Sequence, residues 1–256
     1  MGLIGGGGSI LTLPILVYLL GLSPVLATSY SLFVVGSTAL VGTLTTLKKY
    51  LINYTTGILF VIPSLISVVL VRRFVVPYLP DLLFSIYNYR FTKDVFIMLL
   101  FSIILALAGI SMMKSKVKPN ISDQVTYTVS RYFSVFSQAI GIGVLAGLVG
   151  AGGGFLIVPA LTLSVKLPIK NAISTSLFII AIQSIFGFFI GDFHIVEIDW
   201  KFLGLFTSIS LLGLLFGIKL SQKTSSTRLK YYFGFFTLGM AIVIFIEEIF
   251  MINTQG

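Results

Sequence analysis

The segment GLVGAGGGFLIVP, residues 147–159, decides how this chain is read, because it recurs near the start as GLIGGGGSILTLP, residues 2–14. Moving one copy onto the other also superposes Leu22 on Leu167, Ala27 on Ala172 and Ser29 on Ser174. Ser31-Leu32-Phe33 falls on Ser176-Leu177-Phe178 and Gly42 on Gly187, all without a gap. About 15 of 41 positions are identical, including both prolines, which shared Leu/Gly bias does not explain. Two related halves follow: residues 1–113, a polar linker at 114–131, and residues 132–256. Internal repeats of this kind are a common construction of secondary transporters.

Around the glycines the chain is strongly apolar. Over 256 residues, 57% are hydrophobic and only 10% charged, against roughly 45–50% and 25% in a soluble domain. That balance excludes an ordinary globular fold and a disordered chain alike. A helical span needs ~20 mostly apolar residues, and such runs lie at 26–47, 53–71, 95–113, 172–190, 201–218 and 231–250. Two more, at 2–20 and 133–165, are broken by the glycines. The expected fold is an all-α polytopic membrane protein, a helical bundle of two homologous halves in the cell membrane. Trp200, Tyr50, Tyr54, Tyr231 and Tyr232 fall at span ends, where amphipathic rings favour the interface.

The net charge of +9 sits in breaks between spans rather than on one exposed stripe, so it reads as topology and not as a nucleic-acid surface. With no cysteine and one histidine, the chain offers no thiol nucleophile, disulfide framework or multi-His metal site. His194 shares its loop with Asp192, Glu197 and Asp199 and reads as solvated. Nothing forms a catalytic dyad, no cofactor is called for, and no acid or base falls in mid-span. Glu247 and Glu248 are expected at the interface. The chain is read as no enzyme.

Residues 133–165 would run to ~50 Å as one helix at ~1.5 Å per residue, too long for a ~30 Å core. Near-consecutive glycines cost ~1 kcal/mol each against alanine in a helix interior, so the helix breaks there. Two arrangements follow: a discontinuous crossing, or a hairpin that enters and leaves on one side. The hairpin makes the halves inverted and gathers about 12 of the 17 Lys/Arg on one side; a crossing splits them about 7 to 10. Basic residues concentrate in cytoplasmic loops, which favours inversion. The second half has an apolar helix ahead of its glycines (about Ser134 to Ala146), whereas the first half opens at the motif, so a leading half-helix is expected to be missing or to lie upstream.

A helix starting after glycine points unpaired N–H groups and a partial positive charge at the break, and glycine lets an anion approach that backbone. The candidate site is therefore Gly5, Gly6, Gly7, Gly8 and Ser9 with Gly150, Ala151, Gly152, Gly153 and Gly154. The competing reading is close helix packing, as in the pairs Gly143/Gly147 and Gly213/Gly217. Ser29, Ser31, Ser174, Thr175 and Ser176 could donate to an oxyanion or simply cap helices. Gln183 is a mid-span amide that faces a cavity or another helix. Pro14 and Pro159 each remove a helix hydrogen bond and mark either a hinge or a plain bend. Cargo charge is expected to meet N–H groups and hydroxyls rather than arginine.

The motifs GGGGSILTLP (5–14) and GAGGGFLIVP (150–159), followed by Ala172…Thr175-Ser176-Leu177, resemble the TauE/SafE sulfite exporter family, also called toluene sulfonate uptake permeases. The resemblance covers nearly the whole chain. It implies a permease for a small sulfur-containing anion (sulfite, thiosulfate or an organosulfonate), working by alternating access. Export is the favoured direction, since a negative interior gives ~2.3 kcal/mol per charge per 100 mV. Ala151 within the glycine run and Tyr30 opposite Thr175 depart from strict two-fold equivalence. The expected partners are the lipid bilayer and the anion, with a homo-oligomer left open. A non-transporting scaffold subunit, or a permease for another small carboxylate or inorganic anion, remains the alternative.

Overall fold

In a computed structural model the protein is described over residues 8–46, 52–86, 89–114, 129–150, 152–163, 165–193, 197–222 and 226–254. It is an all-α polytopic membrane protein. Helix α1 (Gly8–Pro14) widens into a π-helical turn at Ile15–Leu19, and α2 (Pro24–Thr46) follows. Next comes α3 (Tyr54–Leu70), prolonged by a π-helical turn at Val71–Val75 and a 3-10 turn at Val76–Tyr78. A short antiparallel hairpin, β1 (Leu82–Ile86) with β2 (Tyr89–Thr92), leads into α4 (Lys93–Lys114). The later helices are α5 (Val129–Val149), α6 (Gly154–Leu163), α7 (Ile169–Phe186, then π-helical over Gly187–Asp192), α8 (Trp200–Gln222) and α9 (Ser226–Thr254). Seven of these segments are long and apolar enough to cross a membrane, and Ile10–Leu19 adds a shorter apolar helix.

Each apolar run expected as a span falls on a helix. Three local differences have simple causes. The loop expected from Arg72 begins later, because between Pro63 and Pro77 no glycine or proline stops the helix, and charge alone does not. The β-hairpin occupies part of what reads as loop, its strands too short to show an alternating pattern. The helix before the second glycine motif runs from Val129 to Val149, about 31 Å at ~1.5 Å per residue, rather than only from Ser134 to Ala146.

Glycines set the packing and reveal the helix directions. A methyl at Gly143 would lie 2.8 Å from Ser67 Cβ, and one at Gly147 would lie 2.9 Å from Val71 Cβ, so α3 and α5 advance side by side in parallel. Gly36 abuts Ile185 while Gly42 abuts Leu177, so α2 runs antiparallel to α7. Gly109 meets Thr237 and Leu238, and Gly234 meets Met113, which makes α4 antiparallel to α9; this pair forms the most extensive helix contact. Helix α3 runs parallel to α7, with Gly57 beside Phe178 and Gly187 beside Val68. From Gly153, next to Gln183, α6 turns back toward the start of α7, where Leu161 accepts a hydrogen bond from Leu167. Helices α5 and α6 therefore form a hairpin around the glycine turn.

Two apolar clusters fill the bundle. One holds Ile10, Leu13, Phe101, Phe155, Phe188 and Phe233; the other holds Val35, Phe60, Ile157, Leu161, Ile179 and Ile180. Phe101 and Phe155 meet edge-on, 5.7 Å between centroids, joining α4 to α6. Buried hydroxyls that have no water to turn to bond the preceding helical turn, as Thr38 does to Val34, Thr162 to Val158 and Thr237 to Phe233.

Because a side chain at Gly109 must displace Thr237, Leu238 and the Gly234 carbonyl, Gly109→Leu is expected to lose about 1–3 kcal/mol or more. Gly141, with nothing within 4 Å of an added Cβ, is expected to accept alanine without loss. Thermal melts of the two detergent-solubilised variants, followed by size-exclusion recovery, check the contrast.

Candidate functional site

The second glycine turn is built to bring backbone close to other helices. Gly150, Gly152 and Gly153 have φ of +66°, +62° and +63°, where an L side chain costs about 1–2 kcal/mol. The Gly150 N–H closes α5 on Ala146 O at 2.8 Å. The Gly153 carbonyl opens α6 by accepting from Leu156 and Ile157 at 2.9 and 3.0 Å. First-turn N–H groups of a helix point out of its end, here toward the turn.

The lining explains why these positions are glycine. Gly150 lies directly against the Arg72 guanidinium and Thr28. A methyl on Gly152 would sit 2.6 Å from Ser184 Oγ and 2.9 Å from Val35. One on Gly153 would sit 3.1 Å from Ala146 and 3.2 Å from Gln183 Nε2. Gln183 donates from Nε2 to the Gly152 carbonyl at 2.6 Å, tying α7 to the turn.

Arg72 is the central feature. Its side chain is fully buried, and none of Nε, Nη1 or Nη2 donates a hydrogen bond among the described residues. Nη1 lies 3.4 Å from Oδ2 of Asp192, itself buried, as an ion pair without hydrogen-bond geometry. The Ser29 hydroxyl is within hydrogen-bonding reach of the Asp192 carboxylate. Ser184 Oγ, Gln183 Oε1 and Ser31 Oγ are also buried without a partner among the described residues. Ser31 lies three residues after Thr28 and four before Val35, on the helix face that meets the turn. Unsatisfied buried donors each cost ~1–3 kcal/mol, more when charged. Arg72, Ser184 and Ser31 gather such donors around three left-handed glycines. A guanidinium presents five N–H donors in a flat fork that suits an oxyanion.

The residues singled out from sequence divide into groups. Gly150, Gly152, Gly153, Gln183 and Ser29 come together at the turn, Ser31 shares the face of α2 that meets it, and Gly154 opens α6. Ser174, Thr175 and Ser176 do not join them. Thr175 accepts from the Asn53 N–H at 3.1 Å, near the start of α3, while Ser174 and Ser176 bond back to Lys170 and Ile173. Gly5, Gly6, Gly7, Ala151 and His194 lie outside the described residues, and Gly8 and Ser9 begin α1. Pro14 ends α1 where the helix widens to π, and Pro159 lies inside α6.

Two expectations are corrected. Arginine does line the glycine turn, because α3 continues past Leu70 and carries Arg72 inward. Acids at two span ends are also buried rather than solvated. Asp192 ends the π-helical turn of α7 rather than lying in a loop, and Glu248, 3% exposed, accepts from Tyr18 OH at 2.7 Å. Thr28, Arg72, Ser184 and Asp192 were not among the candidates. The signal for Arg72 was the unbroken helical run on its C-terminal side.

This arrangement defines the class: a multi-pass helical membrane protein with a buried, charge-bearing polar site at a broken helix. The chain belongs to the TauE/SafE family, since the family model described as sulfite exporter TauE/SafE matches residues 1–244. It is 31% identical over 206 residues to a probable membrane transporter protein of Bacillus subtilis (strain 168), YunE, covering 72% of this chain and 70% of that one. It is 29% identical over 178 residues to a probable membrane transporter protein of Xylella fastidiosa (strain 9a5c), covering 69% of this chain. The match spans 63% of that relative's length. No solved structure matches.

Strain and crowding at the turn are separable. Gly21, at φ +67° with open space around it, is expected to lose about 1–2 kcal/mol as alanine from backbone alone. Gly152→Ala is expected to lose a further ~1–3 kcal/mol from overpacking against Ser184 and Val35. Paired thermal melts measure the difference.

Proposed function

We propose that the protein is a permease for a small sulfur-containing anion (sulfite, thiosulfate or an organosulfonate), held between the second glycine turn and Arg72. The observation that carries this reading is the fully buried guanidinium whose donors find no hydrogen-bond acceptor among the described residues, beside glycines that leave room for a ligand. Two oxygens of a sulfur oxyanion can accept from the fork in parallel, while Ser184, Ser31 and first-turn N–H groups of α6 supply further donors. A spherical halide has no pair of oxygens to match. A scaffold subunit would have no use for such a cluster, which costs stability unless something binds it.

The antiparallel pairing of α2 with α7 and of α4 with α9 supports two inverted halves, 1–113 and 132–256, joined by 114–131. Rocking of one half against the other is the usual route to alternating access in such carriers, and Pro14 and Pro159 are the hinge candidates. Arg72 comes from the first half and Asp192 from the second, so the site lies between them. In a cell membrane with a negative interior, the field favours export of the anion.

Counterflow in proteoliposomes with sulfite, thiosulfate, sulfoacetate and chloride tests the reading. Wild-type protein is expected to exchange the sulfur anions and not chloride. Arg72→Gln, recovered monodisperse, is expected to lose transport, and Arg72→Lys to weaken half-saturation by about tenfold, since the charge remains but the fork is gone. Wild-type rates in Arg72→Gln would remove Arg72 from the site.

A further inference from the structure

We propose that Asp192 is an internal counter-anion: it neutralises Arg72 in the unloaded carrier and cedes the guanidinium to the cargo on binding. The inference rests on the anion-site reading above and adds the means by which the unloaded carrier returns.

The geometry of the pair points to this role. A charge-assisted hydrogen bond between guanidinium and carboxylate runs about 2.7–2.9 Å. Here Nη1 and Oδ2 stand 3.4 Å apart and neither atom is hydrogen-bonded. Asp192 thus balances the charge of Arg72 without consuming its donors. The approach is built into the fold, because Gly191 lets α7 pass so close that a methyl there would lie 2.7 Å from Arg72 Cβ. Both residues stand in π-helical turns, Val71–Val75 and Gly187–Asp192, a geometry frequent at functional sites. The Ser29 hydroxyl of α2, which donates to Val25 O at 3.2 Å, also lies within reach of the carboxylate and turns to it when the guanidinium turns to cargo.

The consequence is kinetic. Closing protein over an uncompensated guanidinium buries a lone charge, which is strongly unfavourable. With Asp192 in place the unloaded site is neutral and can close. Without it the guanidinium has a counter-charge only while an anion is bound, so loaded transitions continue while the unloaded return stalls. Asp192 also competes with cargo for Arg72, so its charge sets affinity.

Radiolabelled thiosulfate in proteoliposomes separates the two modes: exchange, with thiosulfate on both sides, and net efflux into thiosulfate-free buffer. Asp192→Asn is expected to raise the ratio of exchange to net efflux by about tenfold or more and to tighten half-saturation several-fold. Asp192→Glu keeps the charge but reaches further; it is expected to hold the ratio near wild type while weakening half-saturation. An unchanged ratio in Asp192→Asn, with Arg72→Gln inactive in both modes, overturns the counter-anion and leaves the anion site standing. Wild-type transport by Arg72→Gln overturns the site itself. Should Asp192→Asn not be recovered folded, Asp192→Glu decides: unaltered half-saturation, or a ratio raised as far as tenfold, overturns the proposal.

Discussion

A peptide turn buried among helices has no water to turn to, so its polar groups must be satisfied by the protein around it. The turn at Gly150–Gly154 meets this constraint by contact with four other segments. Helix α2 brings Thr28 and Val35, α3 brings Arg72, α7 brings Gln183 and Ser184, and α5 supplies the Ala146 carbonyl. These contacts explain the abundance of glycine along the surrounding helices. Gly36, Gly143, Gly147, Gly187 and Gly191 each allow a backbone or side chain within a distance that a methyl would block. Close helix packing and a polar site, which compete as explanations of glycine in the sequence, prove to be linked: helices packed this tightly are what carry donors to the turn.

The bundle's energetics follow the same division. Away from the turn, buried hydroxyls close on their own helices and the core is aliphatic and aromatic, so little polar demand is left over. At the turn, demand is left over by design of the sequence: Arg72, Ser184, Ser31 and Gln183 Oε1 hold unused capacity in one place. A buried ion pair is weak support for stability, because desolvation of both ions offsets their attraction. The placement of Arg72 and Asp192 is therefore better explained by what they can bind than by what they hold together.

The spans were legible because twenty-residue apolar runs have few alternatives, and the broken helix because glycine runs have a known cost. Length against bilayer thickness gave the break but left a crossing and a hairpin open, and the Lys/Arg count was what favoured the hairpin. Arg72 was not legible for an instructive reason. Two arginines after the uncharged run 53–71 look like the end of a span; the lack of a breaker before Pro77 was the one sign that α3 continues, and only the tertiary structure shows that α7 delivers a carboxylate to meet Arg72. Ser174, Thr175 and Ser176 lie apart from the second turn for the opposite cause. Matching sequence implied matching surroundings, yet in an antiparallel pair equivalent segments lie at opposite ends. Ser29 reaches the turn while Thr175 meets Asn53 instead.

That opposition bears on how the site can work. The shift that places Gly5 on Gly150 carries Arg72 onto Gly217 and Asp192 back onto Leu47, so the charges have no counterpart in the other copy. The glycine motif repeats in the sequence while these charges do not. A binding site of this kind has one charged wall, contributed jointly by α3 and α7, and its two residues sit on helices that run parallel, each in a π-helical turn. Sliding parallel helices past one another shifts such a pair along the common axis and lengthens a contact that is already 3.4 Å. Relative motion of the two helices therefore acts on this pair, and an anion shared between them would feel that motion as a change in its own coordination.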